Sequence, residues 1–256
     1  MKLTVVELPN SHTEFESAWS ALTHHVRGNA SDIVLLSEVP FAPWFATSPT
    51  FDEDAWREVC EAHVRWSGRL AELGGAAVVY TAPSGAGESR RNSGLLWTAA
   101  RGVEHLRDKV LLPDEDPTWE ASWYGRGVDP PAPFDVAGAA AGLMICSEIW
   151  SLAWASDLGR VGAQLLFTPR ATGVESLANW FAVGRVAAIS AGCFGVSSNR
   201  AGDGFGGGGW VFAPDGSLLG RTSADDPFVT VTVDLTAADA AKSTYPRYVT
   251  WGRARR

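Results

Sequence analysis

The chain has 256 residues, 46% hydrophobic and 20% charged, a balance that supports a sizeable buried core. Its formal net charge of −8 excludes a nucleic-acid partner, which needs a basic face, and the short Arg253–Arg256 tail does not supply one. No stretch approaches an uninterrupted apolar span of about 18 residues, and no secretory leader is visible at Met1, so a soluble protein without membrane association is expected.

The elements follow in chain order. Lys2–Glu7 reads as a strand, and Glu14–Arg27 as a helix ending before Gly28 and Asn29. Asp32–Ser37 (DIVLLS) is a continuous, β-branched run, as expected of a strand buried on both faces. Asp54–Leu73 reads as one long helix closed by Gly74 and Gly75. Ala76–Tyr80 is a buried strand, and Asn92–Thr98 and Gly102–Arg107 are paired strands. Leu112–Pro133, with five prolines, is a long ordered loop or lid. Gly142–Cys146 is a strand, Ser151–Val161 a helix and Gln164–Thr168 a strand. Glu175–Ala191 is a helix with Leu177, Trp180, Phe181, Gly184 and Ala188 on one face. Cys193–Ser198, Gly209–Ala213 and Phe228–Asp234 are strands, and Pro214-Asp215-Gly216 marks a hairpin. Helices alternate with strands early, and strand pairs are interspersed. This predicts a mixed α/β sandwich in one domain spanning residues 1–256.

Few residue types remain for chemistry. Cys60, Cys146 and Cys193 are too few and too far apart for a disulfide framework or a zinc site, which points to a reducing, cytoplasmic setting. Lysine is rare: only Lys2, Lys109 and Lys242 occur, against 18 arginines. Glu38 follows DIVLLS directly, where ligands commonly bind in α/β proteins. By position alone it reads as a solvated glutamate, and Lys109 alone as a surface lysine. Cys146 ends the apolar run GLMIC and precedes a helix; alone, it reads as buried filling. Together the three are chemically sufficient. A carboxylate takes the thiol proton, and an ammonium favours the thiolate and a developing oxyanion.

Glu38 in LLSEVPF, Lys109 in RDKVLLPDED and Cys146 in GLMICSEIW resemble, in order, the three signature blocks of the nitrilase, or carbon–nitrogen hydrolase, superfamily. Gly162–Pro169, Trp180 with Arg185, Ser198-Asn199-Arg200, Pro214-Asp215-Gly216 and Val233-Asp234-Leu235 sit where the family has like segments. Glu120, Tyr124 and Gly127 in EASWYGRG resemble the block of a second glutamate, with Glu115 as the nearer alternative. Departures are Leu111 in place of a common histidine, SLAWAS in place of a Pro–acid pair, and Gly208-Gly209-Trp210 in place of Gly-x-Ser.

The resemblance implies a four-layer αββα sandwich and a thiol amidohydrolase acting on a small carboxamide. Glu38 would be the general base and Cys146 the nucleophile. Lys109 and the Ser147 backbone N–H would hold the oxyanion. Glu120 would assist catalysis, and Glu148 would support the turn after the cysteine. The small-molecule substrate would be an amide or a nitrile, and no metal or organic cofactor is implied. An N-carbamoyl amino acid hydrolase, a nitrilase and an acyl-transferring descendant stay open as alternatives. Trp44, Trp119, Trp123, Trp150 and Trp154 cluster near the blocks. Trp44, Tyr124 and Trp150 are candidate substrate-binding residues, or else core and interface stock. Arg170 is a candidate clamp for a substrate carboxylate, or else a structural ion-pair partner. Family members form homodimers or larger homo-oligomers; Ser151–Val161 and Tyr245–Trp251 are the expected contacts.

Overall fold

The computed structural model describes residues 1–252; the Arg253–Arg256 tail lies outside them. The first half holds β1 (Lys2–Pro9), α1 (His12–Asn29), β2 (Ile33–Leu35), α2 (Glu53–Ser67), β3 (Ala77–Ser84), β4 (Arg91–Thr98), β5 (Gly102–Asp108) and α3 (Glu120–Trp123). The second half holds β6 (Phe134–Val136), β7 (Ala139–Leu143), α4 (Leu152–Arg160), β8 (Leu165–Pro169), α5 (Leu177–Ala191), β9 (Phe194–Gly202), β10 (Phe205–Gly206), β11 (Trp210–Phe212), β12 (Leu218–Arg221), β13 (Phe228–Thr232), α6 (Thr236–Ala241) and α7 (Arg247–Thr250).

Strand β1 is the seam of the molecule. Its first part, Lys2–Val6, pairs with β13, and Leu3–Val5 pairs in parallel with β2. Its end, Glu7–Pro9, turns to pair in parallel with β9. The sheet order β5-β4-β3-β2-β1-β9-β8-β7-β6 is therefore continuous, yet it folds into two facing halves. The burial explains why. Leu3, Val5, Ile33, Leu35 and Val79 of one half pack against Ala141, Leu143, Phe167 and Val196 of the other. The alternate residues of the first half, Val6, Val34 and Val78, face outward onto Phe15, Trp19 and Leu22 of α1 and Trp66 of α2. Leu166 and Phe212 of the second half face Leu158 of α4 and Val183 and Ala187 of α5. Period-2 alternation thus builds four layers, αββα. Strands covered on both faces read as the continuous apolar runs seen in the sequence.

The halves approach closely at Gly94, where an added Cβ would lie 2.3 Å from Leu143. Leu143 is the last strand residue before Cys146. No helix among the described residues is long and apolar enough to cross a membrane.

The strand expected over Gly142–Cys146 ends at Leu143, and three further differences from the expected elements have a cause in the packing. Helix α1 runs through Gly28 and Asn29 and stops at Ala30, in the left-handed region at φ 51°. Lys2 Nζ donates to the carbonyl of Asn29 at 2.7 Å, which satisfies a helix-end acceptor and extends the last turn. The segment Asp54–Leu73 is not one helix. It breaks after Ser67, and a 3-10 turn at Leu70–Leu73 buries Leu70 and Leu73 while Arg69 pairs with Glu16 and Glu72. In α5 the buried face is Val183, Gly184, Ala187, Ala188 and Ala191; Leu177, Trp180 and Phe181 are only partly covered.

Candidate active site

Glu38 lies three residues beyond β2, Lys109 directly after β5, and Cys146 three residues beyond β7. The strand ends deliver all three to one buried cluster. Lys109 Nζ donates to Glu38 Oε1 at 2.8 Å and to both oxygens of Glu120 at 2.7 Å. An ammonium has three donors, so all of them are engaged. Glu115 sits instead on the exposed rim, bridged to Thr118, so of the two glutamates it is Glu120 that lies against Lys109. Glu38 Oε1 also accepts from Asn92 Nδ2 at 2.8 Å, whereas Glu38 Oε2 is buried without a partner.

Burial would push the Lys109 ammonium down, but Glu120 and Glu38 outweigh it and hold it above the ordinary lysine value. Burial, reinforced by Glu38, raises the Glu120 carboxyl above the ordinary carboxylate value against the pull of Lys109. The Cys146 thiol is raised well above its ordinary value by burial and then by Glu38, while Lys109 and the Ala171 backbone N–H act the other way. Cys146 therefore rests as a thiol, and forming a thiolate there requires a base at hand.

Cys146 opens a tight 3-10 turn, Cys146–Trp150, with φ at 47°. A non-glycine residue there is strained by about 1–3 kcal/mol, so the surroundings must hold it. Glu148 does so. Its Oε2 accepts from the Ile145 N–H at 2.8 Å and its Oε1 from the Val110 N–H at 2.7 Å. Both oxygens also receive the guanidinium of Arg107, through Nη1 and, at 2.9 Å, Nη2. One buried carboxylate thus ties the cysteine turn to the segment that follows Lys109. Ser147 is the second residue of the turn, where backbone N–H groups have no carbonyl within the turn to bond. Its Oγ donates to the Leu111 carbonyl at 2.5 Å.

The loop bearing Glu38 is held as firmly. Arg200 Nε donates to the Glu38 carbonyl at 3.1 Å, and its Nη1 to that of Ala42 at 2.8 Å. Val39, at φ 46°, donates its N–H to Thr81 Oγ1 at 2.7 Å. The Phe41 N–H donates to His63 Nε2 at 3.3 Å, so the ring proton sits on Nδ1, facing the Val59 carbonyl at 2.8 Å. Burial pushes the His63 value down to about 3. The unfolded chain therefore binds the extra proton between about pH 6.5 and 3. The stability from neutral His63 is complete above pH 6.5 and falls as pH drops through that window, by on the order of 5 kcal/mol at the acid limit. Unfolding free energy measured against pH should show this slope, and His63→Asn should flatten it.

A carbon–nitrogen hydrolase family model matches residues 2–243. The chain belongs to the carbon–nitrogen hydrolase family. A comparison with curated protein sequences finds no match. Among solved structures, a carbon–nitrogen hydrolase from Helicobacter pylori G27 is 18% identical with a TM-score of 0.86, covering 100% of this chain and 95% of that one. An amidase from Nesterenkonia sp. is 18% identical with a TM-score of 0.76, covering 99% and 95%. A CN-hydrolase superfamily protein from Xanthomonas campestris, with an arsenic adduct in its active site, is 18% identical with a TM-score of 0.78, covering 98% and 96%. Another structure of the Nesterenkonia amidase, a mutant, shows the result of Michael addition of acrylamide at its active-site cysteine. The αββα architecture is that of these nitrilase-fold hydrolases.

In this hydrolase a cleft of about 590 Å³ opens over Cys146, with Glu120, Ser147, Ala171, Thr172 and Trp180 in its lining. Four expected binding residues lie outside that lining. Trp44 and Tyr124 pack into an aromatic cluster with Phe45 and Trp56. This cluster, which also takes in Trp119 and Trp123, forms a wall around α3. Trp150 is 52% exposed and meets the edge of Trp180 at 5.5 Å. Arg170 is fully buried and turned into the framework. It donates to Ser197 Oγ, Thr172 Oγ1 and the Gly208 carbonyl at 2.8–2.9 Å and lies 4.0 Å over the Trp210 ring. The carboxylate-clamp expectation is thereby corrected to the structural alternative, with polar and aromatic partners in place of a rim carboxylate. Asn92, Arg107 and Trp180 were not among the expected site residues. The rarity of lysine pointed to Lys109, but nothing local marks an arginine among 18 or an asparagine within a strand.

Proposed function

We propose that this hydrolase is a thiol amidase that cleaves a small carboxamide through a Cys146-bound acyl-enzyme. The observation that carries the reading is the unpartnered, buried Oε2 of Glu38, in an ion cluster that acts electrostatically on the Cys146 thiol. Glu38 takes the thiol proton, and the sulfur attacks the amide carbon. The carbonyl electron pair moves onto oxygen, where the Ser147 backbone N–H and the Lys109 charge stabilise it. The C–N bond then breaks, Glu38 returns the proton to nitrogen, and ammonia leaves. Water, deprotonated by Glu38, attacks the thioester and releases the acid and Cys146. Glu120 holds the lysine and faces the substrate amide from the cleft wall. The Nesterenkonia amidase, whose active-site cysteine takes acrylamide, supports the reading. The domain spans 1–256. The enzyme works as a cytoplasmic homodimer or larger homo-oligomer; the exposed Val161 and Tyr245, in the two expected contact segments, support that assembly.

Ammonia release from a panel of amides and nitriles tests the reaction, with hydroxylamine added to intercept the acyl group. The panel also separates the N-carbamoyl amino acid alternative. Glu115, Asp116 and Glu175 line the cleft, and among the described residues its lining holds no lysine, arginine or histidine. Uncharged or cationic amides should exceed N-carbamoyl amino acids in kcat/KM by about tenfold or more, with the gap narrowing at high salt. A preference for the anionic substrates would favour the alternative.

A further inference from the structure

Asn92 sits on β4, fully buried, and makes two contacts that meet at the catalytic cluster. Its Nδ2 donates to Glu38 Oε1 at 2.8 Å. Its carbonyl accepts from the Lys109 N–H at 2.9 Å, extending the β4–β5 ladder to the lysine. Its own Oδ1 is buried without a partner. An unpaired buried oxygen is unfavourable, and an apolar side chain of similar size would fill the space without it. Packing therefore does not account for an asparagine here.

We propose that Asn92 is a positioning residue that divides the two oxygens of Glu38 between two tasks. Oε1 is tethered, and Oε2 is left to exchange the proton with Cys146 and the leaving amine. The proposal rests on the amidase reading above. Lys109 cannot fix the carboxylate by itself. Its other two donors are committed to Glu120, so it offers Glu38 one hydrogen bond, about which the carboxylate can turn. A second donor on the same oxygen removes that freedom. A cation in place of Asn92 would orient Glu38 equally well but lower its basicity; a neutral amide orients it without adding charge. The strand supplies rigidity, since Asn92 pairs with Pro83 of β3.

The test compares wild type, Asn92→Ala and Asn92→Asp on the best amide of the panel, with kcat and KM followed across pH and thermal unfolding measured alongside. Asn92→Ala should lower kcat by about 10- to 100-fold with KM changed less than about twofold. Asn92→Asp keeps the size of the side chain and loses the donor. The introduced carboxyl can donate to Glu38 only when protonated, so its residual activity should peak at least one pH unit to the acid side of wild type. A merely structural role predicts losses that follow the unfolding temperature and an unshifted profile. A folded Asn92→Ala with kcat within twofold of wild type overturns the proposal. So does an Asn92→Asp profile parallel to wild type, and this variant decides the matter where the alanine variant does not fold. A wild type that releases no ammonia from any amide, or an active Cys146→Ala, overturns the amidase reading and the proposal with it.

Discussion

Cys146→Ala should lower amide turnover by on the order of 10⁴-fold or more and leave the fold intact. The side chain loses only its sulfur, and alanine has the same Cβ at the strained φ, so the turn is held as before by Glu148. The stability change should stay within about 1–2 kcal/mol, the range for removing one buried atom. Ammonia release and denaturant unfolding measure the two halves of this expectation. Turnover retained by the alanine variant would refute Cys146 as nucleophile. Mass spectrometry of wild type quenched with substrate should find the acyl group on the peptide containing Cys146 and nowhere else.

The second large effect lies at Arg107. Its guanidinium is the one cation paired with Glu148 among the described residues, and both side chains are buried. Arg107→Ala strands a carboxylate in the interior and should cost about 3–5 kcal/mol of folding stability. Activity should fall as well, because Glu148 also holds the N–H groups of Ile145 and Val110 on either side of the site. The double replacement Arg107→Met with Glu148→Gln removes both charges and should recover part of the stability. It should not recover activity. A glutamine side chain has one acceptor oxygen, and the two N–H groups need an acceptor each. Denaturant titrations of wild type, Arg107→Met, Glu148→Gln and the double variant form a double-mutant cycle. A loss below about 1 kcal/mol for Arg107→Ala would show that the pair is dispensable for the cysteine turn.

The difference between Arg170 and Lys109 shows how far residue types alone lead. Both are cations placed just after a strand, and both are fully buried. Lys109 meets two carboxylates, whereas Arg170 meets a hydroxyl on each of two segments and a carbonyl on a third. Burial pushes the Arg170 value down to about 9, a sign of a cation held without a close carboxylate. Nothing in the residues around Arg170 distinguishes the two cases, because the deciding neighbours come from β9 and the Gly208 turn. The tryptophans behave alike. Their abundance suggested a lined acyl pocket, yet of the twelve only Trp180 lines the cleft, and most of those near the signature blocks pack against one another.

By itself the sequence determined the strands and helices that form the layers, because alternation and β-branching act over neighbouring residues. It also determined which strand ends carry Glu38, Lys109 and Cys146. Only the tertiary structure decided what surrounds them. Glu38 is joined to Asn92 across 54 residues, Glu148 to Arg107 across 41, and the Glu38 carbonyl to Arg200 across 162. Such partners are chosen by how two sheet halves fold about β1 and by the need of each buried charge for a counterpart. Neither the fold-back nor that need leaves a local mark on the chain.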